Sequence, residues 1–171
     1  MNKTSFTILD DKKTLVMERT FTVTKDRLWN AYASAEMLAQ WFSPEGWATD
    51  VKEHSFVDGG EYRYVMKCVD EAQKEWFGQT SSGKMVFGGI NPKSSFGYTD
   101  YFTDENGVIN EALPASHSSV ELIQQDDNTT TLKVTTNYDT EAALKQVLEM
   151  GMEEGYSQTL DKLEELLAEN N

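Results

Sequence analysis

Two charged residues stand where the chain's alternation turns side chains inward, Arg19 and Asp100. In the stretch TLVMERTFTV (14–23), Leu15, Met17, Arg19, Phe21 and Val23 share one side of a strand, and Val16, Glu18, Thr20 and Thr22 share the other. In residues 95–103, Phe96, Tyr98, Asp100 and Phe102 share a side. A buried charge requires a counter-charge or a polar cavity. Two readings follow. Arg19 and Asp100 form a structural ion pair, or they orient the polar group of a ligand, with Asp100 able to act as a base of raised pKa. Tyr62, Tyr64, Tyr98, Tyr138 and Tyr156 fall on inward positions beside Phe96 and Phe102. Aromatic rings fill a sheet well. A buried phenol needs a partner, however, and several together also suit an apolar pocket with a few polar handles.

Other chemistry is weakly represented. His54 and His117 lack the spacing of zinc ligands, and no glycine-rich phosphate loop or nucleophile elbow occurs. Cys68 falls on the inward side of its strand and reads as a small core residue. No catalytic residue, metal or cofactor is therefore assigned. The formal net charge of −14 argues against nucleic acid and against an anionic membrane surface as partners. No apolar run approaches the ~20 residues of a membrane span, and the first residues lack the apolar stretch of a signal peptide, so a cytoplasmic setting is expected.

The elements that must position these residues follow from periodicity. Thr24 and Ser34 are N-caps for two short helices, KDRLWNAYA and AEMLAQW, the second stopped near Pro44. Strands are predicted over 14–23, 49–57, 61–69, 84–90, 95–103, 117–125 and 129–138, with 70–82 as a long polar loop. Their short turns imply an antiparallel sheet. The stretch 140–168 reads as one long amphipathic helix from an N-cap at Thr140, with Leu144, Leu148, Gly151, Gly155, Thr159, Leu163 and Leu166 on one face. Lys145, Glu149, Glu153, Glu154, Asp161, Lys162 and Glu165 are read as its solvated side. Gly151 and Gly155 permit either close packing or an open space beneath the helix. The predicted fold is α+β, a curved antiparallel sheet of about six or seven strands gripping the C-terminal helix, in a single domain over 1–171.

This order, with Arg19-Thr-Phe21, Trp41-Phe-Ser-Pro44, Gly59-Gly60, Asn91-Pro92, the run Tyr98 to Phe102, Asp104 to Gly107 and the helix Gly151 to Leu167, resembles the START-like, or SRPBCC, helix-grip superfamily. Within it, the likeness is to the family named for the activator of heat-shock protein 90 ATPase, over about residues 14–168. Val23-Thr24 stands where that family usually has Ala-Pro, and Tyr156 where it usually has Trp. The resemblance implies the helix-grip fold. It leaves function open among a ligand carrier, a module acting on a chaperone, and a cyclase- or hydrolase-like enzyme.

The resemblance tips the tyrosines toward a pocket. A small apolar or amphipathic molecule is thus the leading expected partner, with a chaperone or a second copy of the chain as protein alternatives. The expected cavity is roofed by Gly151, Met152, Gly155, Tyr156 and Thr159. Its floor is Tyr62, Tyr64, Met66, Tyr98, Asp100, Val120 and Val134, with Arg19 as a further polar handle.

Overall fold

The computed structural model describes residues 3–169. Strands β1 (Ser5–Ile8) and β2 (Thr14–Phe21) precede helices α1 (Lys25–Ala33) and α2 (Ala35–Trp41). Strands β3 (Trp47–His54), β4 (Glu61–Cys68), β5 (Thr80–Asn91), β6 (Ser95–Thr103), β7 (Ser116–Asp126) and β8 (Thr129–Asn137) follow, then helices α3 (Glu141–Glu149) and α4 (Met152–Glu169). The strands make one eight-stranded sheet in the order β1-β2-β8-β7-β6-β5-β4-β3, antiparallel throughout. This is the helix-grip architecture. Among the described residues no helix is long and apolar enough to cross a membrane.

Three sequence expectations are corrected. The sheet has an additional edge strand, β1, whose residues are largely exposed and so carry little alternation to read. Strand β5 begins at Thr80, inside the stretch read as loop, because Tyr64 and Met66 of β4 pair with Gly83 and Ser81. The long terminal helix is two helices. Gly151 is exposed and adopts φ +83°, the left-handed conformation that ends α3, and the Met150 and Gly151 N–H groups bond back to the Val147 and Leu148 carbonyls.

The larger core joins the inner sheet face to α1, α2 and α4 through residues such as Phe21, Phe96, Val120, Leu132, Leu28, Trp41, Leu160, Leu163 and Leu167. Each fully buried leucine contributes roughly 1.5–3 kcal/mol of transfer free energy. Helix α3 packs into a separate small cluster, Leu15, Tyr138, Leu144 and Val147. Thr24 and Ser34 cap α1 and α2 through the Arg27 and Met37 N–H groups, and the Trp41 indole donates to the Ala31 carbonyl across the pair.

Arg19 is inward as its strand parity requires, with 2% exposure. Its carboxylate partner is not Asp100. Arg19 lies on β2 opposite Leu132, beneath α4, whereas Asp100 lies across the sheet on β6. The guanidinium meets Asp161 at 2.7 Å and also Glu164, with Thr4 Oγ1 and the Ser157 carbonyl as further acceptors. Asp161 is thus not a freely solvated residue. Lys162 is also engaged, donating to Ser43 Oγ and the Trp47 carbonyl.

The buried member of the Arg19 cluster is the guanidinium; the Asp161 side chain keeps 41% of its exposure and that of Glu164 keeps 22%. Removing both carboxylates, as in the D161N/E164Q double variant, strands a buried cation and should cost about 3–5 kcal/mol. Arg19→Met leaves two carboxylates that can reach water and should cost less. Urea unfolding midpoints test the order, and the reverse order would place the burial cost on the helix.

Candidate functional site

A cavity of about 300 Å³ lies between the sheet and the α3–α4 pair. Its floor is Tyr64 and Met66 of β4, Ser81 and Met85 of β5, and Tyr98, Asp100 and Phe102 of β6. Its roof is Val147, Met150, Gly151, Met152, Gly155, Tyr156 and Thr159, and its rim is Phe42, Ser43 and Pro44 after α2. A smaller recess of about 100 Å³ shares Tyr98, Asp100, Met152 and Tyr156 with it and runs toward Ser116, Ser118, Val134 and Tyr138.

Missing side-chain volume makes this space. A Cβ added at Gly155 or Gly151 would meet no atom within 4 Å. On the floor, Gly83 lies under the Tyr64 ring, and a Cβ there would sit 2.3 Å from the phenol oxygen. The Tyr64 phenol therefore reaches over β5 toward Asp100 on β6 because its cross-strand neighbour is glycine.

The structure brings together most of the residues predicted for the site. Tyr64, Met66, Tyr98, Asp100, Gly151, Met152, Gly155, Tyr156 and Thr159 line the cavity, and Val134 lines the recess. Arg19, Tyr62 and Val120 do not. Arg19 is taken up by α4. Tyr62 is 1% exposed, with its ring 5.2 Å from that of Phe42, and Val120 is 1% exposed between Phe96 and Val134. Strand parity chose the correct face for these residues, but a face is longer than the cavity on it.

Phe42, Ser43, Pro44, Ser81, Met85, Phe102, Val147 and Met150 line the cavity without having been predicted. Phe102 and Met85 had the signal, since Phe102 shares a side with Asp100 and Met85 is its cross-strand partner. Ser81 would have appeared had β5 been extended backward by parity. The rim residues depend on how the chain leaves α2, which no periodicity encodes.

The electrostatics of the cavity centre on Asp100. Burial pushes its carboxyl up to about 7, against the Tyr64 hydroxyl and the Tyr101 N–H, which favour the charged form. Its Oδ1 is buried with no hydrogen-bond partner. Tyr64, Tyr98 and Tyr156 are held well above the usual phenol range by burial first and by neighbouring groups second, and Tyr138 is pushed up to about 12. Their hydroxyls are neutral donors at any ordinary pH. Among the described residues no Lys, Arg or His lines the cavity or its recess. Thr159 spends its hydroxyl on the Gly155 carbonyl, and Lys162 ties the rim at Ser43 to α4. Cys68 is buried near Gln73, and His54 packs among Phe56, Tyr62 and Phe87 with Nε2 on the Ala33 carbonyl. Neither lines the cavity. The result is an apolar chamber with one carboxyl and several neutral hydroxyls.

The family described as "Activator of Hsp90 ATPase homolog 1-like protein" matches residues 22–168. No curated protein matches the chain. Among solved structures, a crystal structure of a protein from Mycobacterium smegmatis is 27% identical with a TM-score of 0.84, covering 95% of each chain. A solution structure from Staphylococcus epidermidis is 25% identical with a TM-score of 0.79, covering 96% of this chain and 95% of that one. A solution structure from Arthrobacter aurescens is 24% identical with a TM-score of 0.85, covering 96% of this chain and 91% of that one, and speaks for the fold alone.

The raised Asp100 pKa makes stability fall with pH. The folded state holds this proton up to about pH 7, while the unfolded chain releases it near its ordinary value of 3.8. The cost of burying the charge is absent below about pH 4, grows through the interval and is complete above about pH 7. Asp100→Asn removes that cost. Its gain in unfolding free energy over the natural chain should be larger at about pH 8 than at about pH 5, with a ceiling on the order of 4 kcal/mol. Melting curves at the two pH values read this; a constant difference would mean that Asp100 ionises normally.

Proposed function

Because the chain belongs to the Activator of Hsp90 ATPase homolog 1-like family, whose fold does not fix its task, we propose that it binds a small, largely apolar molecule in the cavity between sheet and terminal helices. The observation that carries this reading is the open space of about 300 Å³ beneath Gly155, at the lower end of the range for small-molecule sites. Leucines anchor α4 toward its far end, at Leu160, Leu163 and Leu167, while the helix start is held off the floor. Burying an apolar molecule against Phe42, Met66, Met85 and Phe102 supplies the driving force. The tyrosine hydroxyls supply orientation.

A second reading is supported by a different feature. Trp76 at 57% and Met150 at 54% exposure are large apolar side chains that flank one surface groove beside the cavity, with which it shares Pro44, Met66 and Ser81. Such a patch suits a protein partner, and the family's name puts heat-shock protein 90 first among those to test.

Gly155→Leu separates the two. A Cβ at Gly155 meets nothing within 4 Å, and leucine is the better helix former by roughly 1 kcal/mol. The variant should keep or gain stability and lose binding of an uncharged fluorescent probe such as N-phenyl-naphthylamine. It should also lose any small molecule seen by native mass spectrometry of protein from its own host. Trp76→Ser should leave the probe bound; if instead it abolishes stimulation of the heat-shock protein 90 ATPase and Gly155→Leu does not, the docking reading prevails. Severe destabilisation of Gly155→Leu would mean the space is filled, and the carrier reading falls.

A further inference from the structure

The chemistry of the cavity wall narrows the class of molecule it holds, given the binding role proposed above. Asp100 brings a carboxyl to an apolar chamber, and its Oδ1 is buried there without a partner. The groups that face it come from every packed element. Tyr62 and Tyr64 project from β4, Met85 from β5, Tyr98 from β6, Ser116 and Ser118 from β7, Tyr138 follows β8, and Tyr156 descends from α4. None is a cation. Arg19 is engaged by Asp161 and Glu164 and Lys162 by Ser43 and the Trp47 carbonyl, while Arg63, Lys67 and Lys84 alternate with the floor residues of β4 and β5.

A buried carboxylate without a counter-charge is an expensive feature unless something supplies the charge. The faces of Tyr64, Tyr98, Tyr156 and Phe102 are electron-rich and favour a cation placed among them. A carboxylate or phosphate ligand would meet Asp100 with like charge and find no basic side chain in the lining. The chain's net charge of −14 works in the same direction, drawing cations toward it and repelling anions.

We propose that the cavity selects a small apolar molecule bearing a protonated amine, its ammonium against the Asp100 carboxylate and its hydrocarbon part against Phe42, Met66, Phe102 and the space under Gly155. The ammonium supplies the counter-charge that the carboxylate lacks, and the phenols of Tyr64 and Tyr98 complete its surroundings. Asp100 must be ionised to hold it. Since burial keeps this carboxyl near neutrality, binding an ammonium pulls it into the charged form and releases a proton close to pH 7.

Three probes on one skeleton test this: phenethylamine, phenethyl alcohol and phenylacetate, titrated into the whole chain and followed by protein NMR. At about pH 8 the amine should bind at least about tenfold more tightly than the alcohol, and phenylacetate should not bind. The amine itself stays protonated across the neutral range, so its advantage should shrink as pH falls from about 8 to 6 and Asp100 takes up its proton. In Asp100→Asn the amine and the alcohol should bind alike at every pH. Calorimetry in buffers of different ionisation enthalpy should show proton release with the natural chain and none with the variant. Equal binding of amine and alcohol by the natural chain, or a preference for phenylacetate, overturns the amine proposal and leaves the apolar cavity standing. If none of the three probes binds and the uncharged dye also fails, the cavity reading itself falls and the proposal with it.

Discussion

The fold depends on one buried cation. Arg19 sits on the inner face of β2 with almost no exposure, and the two carboxylates that neutralise it come from α4. A guanidinium cannot shed its charge, so it must be met wherever it is buried. Apolar packing alone would let α4 slide on a greasy sheet at modest cost. The contact between Arg19, Asp161 and Glu164 names a position along the helix and a place on the sheet together. With α4 pinned there, its leucines fall on the core and its first turn, from Met152 to Tyr156, hangs over β4 to β6. The cavity exists because the helix is held at one end and left unfilled at the other.

The same sheet treats its two inward charges in opposite ways. Arg19 has its counter-charges within the chain, while Asp100 has hydroxyls and a backbone N–H but no cation. A mere structural requirement would be met by a neutral residue opposite Met85. Keeping a carboxyl there, in a chamber widened by Ser81 and Gly155, costs stability. Residues that are costly to the fold and open to a cavity are those whose benefit lies outside the fold.

Much of this was legible in the sequence because strand parity is a strong signal. The inward positions of Arg19, Tyr64, Tyr98 and Asp100 follow from alternation, and the helix period puts Gly155 on the face that covers the sheet while leaving close packing and an open space both compatible with it. Where reading failed, the cause was physical. Parity gives the face of a strand but not the distance along the sheet, so Arg19 was paired with the wrong carboxylate and Tyr62 and Val120 were placed on the cavity floor. Exposed β1 has no apolar side to alternate with. The polar residues Thr80 to Ser82 looked like loop because small side chains suit a cavity wall as well as a turn. Gly151 fits the period of a helix and yet ends one, since a glycine's φ is free in either direction and sequence spacing does not report it.

That break at Gly151 divides the roof into two bodies of unequal attachment. Helix α4 is fastened by ion pairs and by the main core, whereas α3 rests on the small cluster of Leu15, Tyr138, Leu144 and Val147. Lifting α3 breaks that cluster and its contacts with α4 but spares the main core and the ion pairs, so it costs less than lifting α4. Under the binding role proposed above, movement of α3 would widen the mouth at Met150 and Gly151 while α4 stays in place. The width of the entrance and the hold of the floor would then rest on different residues, the first on the α3 cluster and the second on β4 to β6, and selection could change either one without disturbing the other.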